Sequence, residues 1–113
     1  MNESISKQPC SQPSAVGTPR FELGKVVATP AALAMLEGVG VSPLELVRRH
    51  LYLDPGSLDA DDQASNVMAL QTGARIFSAY EVGDCRERVW VITDAKDDDG
   101  HRLSTCVLMP ADY

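Results

Sequence analysis

The feature that most constrains this chain is its last third. Between Arg75 and Met109 three stretches rich in β-branched and aromatic residues follow one another: Arg75 to Val82, Arg88 to Thr93 and Leu103 to Met109. Each is bounded by Gly, Asp or Pro, which is how strands and turns alternate in sequence. The links, Gly83 to Glu87 and Asp94 to Arg102, are short enough for an antiparallel meander, and the second carries an Asp-Gly pair. In the middle stretch Val89, Val91 and Thr93 share one side while Trp90 and Ile92 share the other. In the first, Phe77 and Ala79 oppose Ile76, Tyr80 and Val82. Both sides are substantially apolar, whereas a sheet with one solvated face alternates more cleanly. Either the helices and the Phe21 segment share the covering of both faces, or part of one face, including Trp90 or Tyr80, is a partner or dimer surface.

The residues ahead of this sheet read as helices. Thr29-Pro30 is an N-cap followed by proline at the first helical position, with Leu33 and Leu36 inward and Gly38 or Gly40 at the end. Ser42-Pro43-Leu44-Glu45 is a capping box, and Leu44, Val47 and Leu51 follow at helical spacing. Arg48, Arg49 and His50 sit near that helix's C-terminus, which predicts a surface position for His50 complementing the dipole. Asp54-Pro55-Gly56 is a turn. Asp59 and Asp62 open a third helix with Ala64, Val67, Met68 and Ala69 inward and Gly73 at its end. Phe21 to Ala28 is a candidate edge strand. Residues 1–19, dominated by Ser, Gln, Pro and Asn, are expected to form a disordered tail ahead of a single α+β domain over 20–113.

The charge balance limits the function classes. The chain has 113 residues, a formal net charge of −6 and a pI near 4.7. A general nucleic-acid binder normally carries a basic excess, so direct nucleic-acid binding is not expected. The three cysteines, Cys10, Cys85 and Cys106, lack metal or redox spacing and read as reduced thiols. No stretch has the length of a membrane span or the apolar run of a leader, which predicts a soluble, cytoplasmic protein with no membrane contact.

No catalytic or cofactor motif stands out, and neither a cofactor nor a metal is expected. The acidic link Asp97-Asp98-Asp99-Gly100-His101-Arg102 has the look of a calcium loop. Aligned on Gly100, however, its first and last ligand positions fall on Ala95 and Cys106, where carboxylates are required. Spaced Cys/His pairs, a P-loop and a nucleophile elbow are all missing. The one constellation with chemical logic is His101, Arg102, Ser104 and Thr105, with Arg75 and Arg88 on neighbouring strands. An acid–base histidine beside arginines is what metal-free RNA cleavage uses. The competing reading is a binding protein whose contacts are Tyr80, Trp90, Asp97, Asp98 and Asp99.

From Phe21 to Tyr113 the chain resembles a family of short proteins encoded on bacterial plasmids, prophages and integrative elements. The likeness rests on Leu23 to Pro30, Ser42 to Leu46, Arg75 to Tyr80, Arg88 to Thr93 and Val107 to Tyr113. Such proteins are often labelled plasmid-related, or as the M subunit of type I restriction enzymes. A methyltransferase subunit needs a large doubly wound domain and an Asn/Asp-Pro-Pro-aromatic motif, which this chain does not contain. It also has Leu53-Asp54-Pro55-Gly56 where the family commonly has Gly-Asp-Trp-Gly, and an insertion from Lys96 to His101. The resemblance implies a mobile-element setting and a unit of this size, and the acidity, small size and missing catalytic motifs then point to a non-enzymatic accessory protein. Such a protein would bind a host or element partner, for instance as an acidic inhibitor of a restriction or CRISPR-type enzyme. A small toxin-like ribonuclease and a structural homodimer are the alternatives.

Overall fold

The computed structural model describes residues 20–54 and 56–113, so the expected tail and Pro55 of the expected turn lie outside the described residues. The elements are β1 (Lys25–Ala28), α1 (Pro30–Val39), α2 (Pro43–Leu51), α3 (Ala60–Thr72), β2 (Ile76–Val82), β3 (Glu87–Thr93), β4 (Ser104–Leu108) and a closing 3-10 turn (Pro110–Asp112). The layout is α+β, helices ahead of the meander, and the Phe21 segment adds a fourth strand in the order β1-β4-β3-β2. The meander is antiparallel, with Tyr80 opposite Val89 and Val91 opposite Val107. β1 lies parallel to β4, with Val26 opposite Thr105. A parallel pair needs a long crossover, and here the three helices and two strands between them supply it. Among the described residues no single helix is long and apolar enough to cross a membrane.

The helix caps form where the sequence places them. Thr29 Oγ1 accepts from the Ala32 N–H and Asp59 Oδ1 from that of Asp62, while Ser42 Oγ accepts from the Leu44 N–H in place of the Glu45 N–H that a capping box would use. Gly40 and Gly73 end α1 and α3 in left-handed conformations. The buried faces differ from expectation. Ala32 and Leu36, not Leu33, turn inward on α1. On α2 the inner residues are Leu46, Val47 and His50, while Leu44 is exposed. On α3 they are Asn66 and Ala69, while Ala64, Val67 and Met68 are exposed. The faces of α2 and α3 shifted because each carries a polar residue, His50 or Asn66, on its inner side.

α1 and α2 pack on one face of the sheet, where Ala32, Leu36, Leu46 and Val47 meet Tyr80, Val82, Val89, Val91 and Val107. α3 instead runs along the outer edge of β2. The Asn66 side chain pairs with the main chain of Phe77, donating to its carbonyl at 2.6 Å and accepting from its N–H at 3.0 Å. The Ser57 N–H and hydroxyl both donate to the Ala79 carbonyl. That edge is therefore closed to another strand, whereas the outer edge of β1 carries Lys25, a charge that discourages pairing.

A polar chain crosses the interior beside the aliphatic core. His50, expected at the surface, is 0% exposed. Its Nδ1 lies 2.7 Å from Ser78 Oγ and its Nε2 2.8 Å from Thr93 Oγ1. Thr93 and Thr105 hydroxyls are 2.7 Å apart, and the Thr105 hydroxyl donates to the Leu23 carbonyl at 2.8 Å. With its proton committed to Leu23, Thr105 must accept from Thr93, and Thr93 must accept from His50 Nε2–H. With the imidazole neutral, as its lowered pKa keeps it, Nδ1 then accepts from Ser78. The imidazole is neutral in this arrangement, and the Phe21 ring packs edge-on against it at 5.2 Å.

Burial, and then the Arg102 charge, push the His50 pKa down from 6.5 to about 4. The unfolded chain therefore takes up this proton first as pH falls. The contribution to stability is complete above pH 6.5, declines through acid, and is gone by about pH 4. The expected loss over that window is about 3 kcal/mol. It is measured as the difference in denaturant unfolding between the protein and His50→Gln, which lacks the titrating group and should lose less stability over the same window.

Candidate functional site

The expected contact and catalytic residues fall into three different environments. Tyr80 belongs to the core: it is 1% exposed, its hydroxyl donates to the Asp54 carbonyl at 2.8 Å, and Arg49 lies over its ring at 4.4 Å. Burial pushes its pKa up to about 12, so it stays a neutral donor. Tyr80 therefore presents no surface to a partner, which corrects its assignment as a contact residue. The register explains why, since Tyr80 sits opposite Val89 on the helix-covered face.

Trp90 lies on the other face. Its ring meets Phe77 at 5.1 Å and Tyr113 at 5.6 Å, both nearly perpendicular. Arg75 reaches over from the start of β2. Its guanidinium lies 5.5 Å from the Tyr113 ring centre and donates to the Tyr113 hydroxyl at 2.6 Å. With Asp62 of α3 these residues border a cleft of about 390 Å³. The Trp90 indole N–H is buried beside it without a hydrogen-bond partner among the described residues. Tyr113, 67% exposed, forms the outer wall. Neither Arg75 nor Asp62 stood out in sequence as part of this surface. Helical spacing does not relate them to Trp90, and only the α3-to-β2 connection brings them together.

The acidic link forms an exposed turn, as expected. Asp97 Oδ1 accepts from the N–H groups of Asp99 and His101 at 2.9 and 3.0 Å. These main-chain bonds, the one from His101 first, hold the Asp97 carboxyl below its ordinary pKa. Asp97 is thus a turn-former, and Asp98 and Asp99 are left as exposed charges.

The ribonuclease constellation does not assemble. Ser104 Oγ donates to Asp94 Oδ2 at 2.8 Å. His101 is exposed, with Nδ1 3.2 Å from Glu22 Oε1. Thr105 belongs to the polar chain of the interior. Arg102 is 2% exposed and its guanidinium donates to three main-chain carbonyls: Ala74 at 2.6 Å, Asp94 at 3.0 Å and Ala69 at 3.0 Å. Ala69 lies in the last turn of α3, where the helix carbonyls favour a cation. Arg102 is a clamp joining α3, the approach to β2 and the exit from β3, so its fork of donors is not presented to a phosphate in solution.

No protein-family model, no curated protein and no solved structure matches this chain.

The clamp and the neighbouring histidine are expected to separate cleanly on substitution. Arg102→Lys keeps a charge but not the planar fork, and should lower unfolding free energy by about 3 kcal/mol. His101→Ala should change it by less than about 0.5 kcal/mol, as exposed sites do. Urea denaturation of the two variants measures both.

Proposed function

We propose that this protein is a non-catalytic binding module that engages another protein through the Trp90 face of its sheet. The observation that carries this reading is the aromatic cleft, in which Phe77, Trp90 and Tyr113 are gathered at the surface with Arg75 beside them. Aromatic and arginine side chains around a concave apolar site are the usual anchors of protein interfaces. The partner's chemistry follows from charge. Asp62 borders the cleft, Asp59 and Asp61 share its helix turn, and the chain carries a net charge of −6. The fitting partner places an apolar side chain in the cleft and basic groups around it. A nucleic-acid-handling enzyme of a host defence system has such a basic surface, in keeping with the sequence resemblance to mobile-element proteins.

Affinity capture from host lysate with paired variants tests this. Tyr113→Ala and Arg75→Ala truncate exposed groups of the cleft wall and should reduce capture of the specific partner about tenfold. Asp98→Lys combined with Asp99→Lys should leave capture within about twofold. The reverse pattern would move the contact to the acidic turn. Equal capture by every variant would remove the cleft from the interaction. With the partner purified, quenching or shift of Trp90 fluorescence reports the contact directly, because Trp90 is the only tryptophan.

A further inference from the structure

A second cleft, of about 340 Å³, lies at the corner where Arg20, Lys96 and His101 meet above the buried Arg102. We infer that this cleft is an anion site of the phosphate class, taking free phosphate or a phosphomonoester. The basis is the lining of the cavity: Arg20, Lys96 and Arg102 border it with a single carboxylate, Glu22, an excess of positive charge before His101 is counted, while the acidic turn lies behind His101, with Asp97 Oδ1 bonded to the His101 N–H.

The carboxylate is already engaged. Glu22 Oε1 accepts from the Arg102 N–H at 2.7 Å and lies 3.2 Å from His101 Nδ1. The Arg102 main-chain bond is the largest influence holding the Glu22 pKa below its ordinary value. Arg102 itself acts through charge, because its terminal nitrogens are occupied by main-chain carbonyls. Its Nε–H is buried with no partner among the described residues. That cation sits in a medium of low polarity, where its field reaches further than that of a solvated arginine.

The direct ligands are the exposed groups Arg20 and Lys96. The stem of Lys96 is steadied against Gly73, whose left-handed turn leaves room for it: a Cβ there would meet Lys96 at 3.3 Å. Phe21 supplies an apolar wall, with the Arg102 guanidinium 5.9 Å from its ring centre. Arg102 is withdrawn behind the surface, so it contributes its field to a bound anion and not a hydrogen bond. The site is also independent of the aromatic cleft, with which it shares no residue.

The test is titration of the whole protein with inorganic phosphate at constant ionic strength, against chloride, followed by amide NMR shifts and calorimetry. Saturable shifts at millimolar phosphate are expected, centred on residues 20–22 and 96–102. Lys96→Ala and Arg20→Ala should each weaken binding about fivefold. Glu22→Gln, which keeps the acceptor oxygen and removes the charge, should tighten it about threefold. This gain is one that a merely structural role for these residues would not produce. Adenosine monophosphate in a parallel titration separates the two sources: tighter binding than phosphate names the ester, and equal binding names the free ion. Shifts that remain linear and non-saturating overturn the inference, and so does binding indifferent to Lys96→Ala and Glu22→Gln together.

Discussion

The directed hydrogen-bond chain from Ser78 through His50, Thr93 and Thr105 to the Leu23 carbonyl is the constraint on which the rest of this fold depends. A short chain with few aromatics has little apolar surface to bury, and this one places an imidazole and three hydroxyls in its interior as well. Left unpaired, each such group would cost about 1–3 kcal/mol. Paired in one direction, they join α2 to β2, β3 and β4, and through Leu23 to the segment entering β1. The parallel placement of β1 on β4 is thus held by a side-chain chain as well as by the ladder, so strand order and the polar interior specify one another.

Arg102 does the equivalent work beside this hydrogen-bond chain, on the far side of the Phe21 ring. Its three carbonyl acceptors come from α3, the α3-to-β2 link and the residue after β3. A buried cation is tolerated there because main-chain dipoles, including those closing α3, surround it. The same burial that makes it a good clamp removes it as a catalytic group. It also disfavours a proton on His50, whose pKa Arg102 lowers through space. One buried charge therefore orders a corner and keeps the neighbouring imidazole neutral.

Much of the fold was legible because it was written in local signals. The three meander strands begin and end within one residue of the β-rich stretches, whereas the edge strand starts at Lys25, four residues after Phe21; Thr29, Ser42 and Asp59 cap their helices. What local patterns could not supply was which polar residues turn inward. Apolar spacing on α2 points through Leu44, Val47 and Leu51, yet His50 is wholly buried and Leu44 exposed. An imidazole reads as polar until its partners are known, and Ser78, Thr93 and Thr105 lie on three separate strands. Asn66 escaped notice for the same reason, since its partner is the main chain of Phe77. The two aromatic candidates divided along the same line: alternation separates the sides of β3 without saying which one the helices cover, and the packing of Val89 and its partner Tyr80 under α1 and α2 leaves Trp90 on the other face.

The charge of this chain also has to be read locally. Screening in physiological salt limits the reach of exposed charges to about 8 Å, so a net charge of −6 describes solubility better than it describes any one site. The carboxylates at the start of α3 lie beside the aromatic cleft, while Arg20, Lys96 and Arg102 are gathered at another corner. An extended polyanion would cross the acidic regions as well as the basic corner, and the repulsion would offset the gain. A single phosphate is small enough to lie within the basic corner alone. Acidity thus weighs against general nucleic-acid binding without weighing against a small oxyanion, because the two ligands sample the protein's field over different distances.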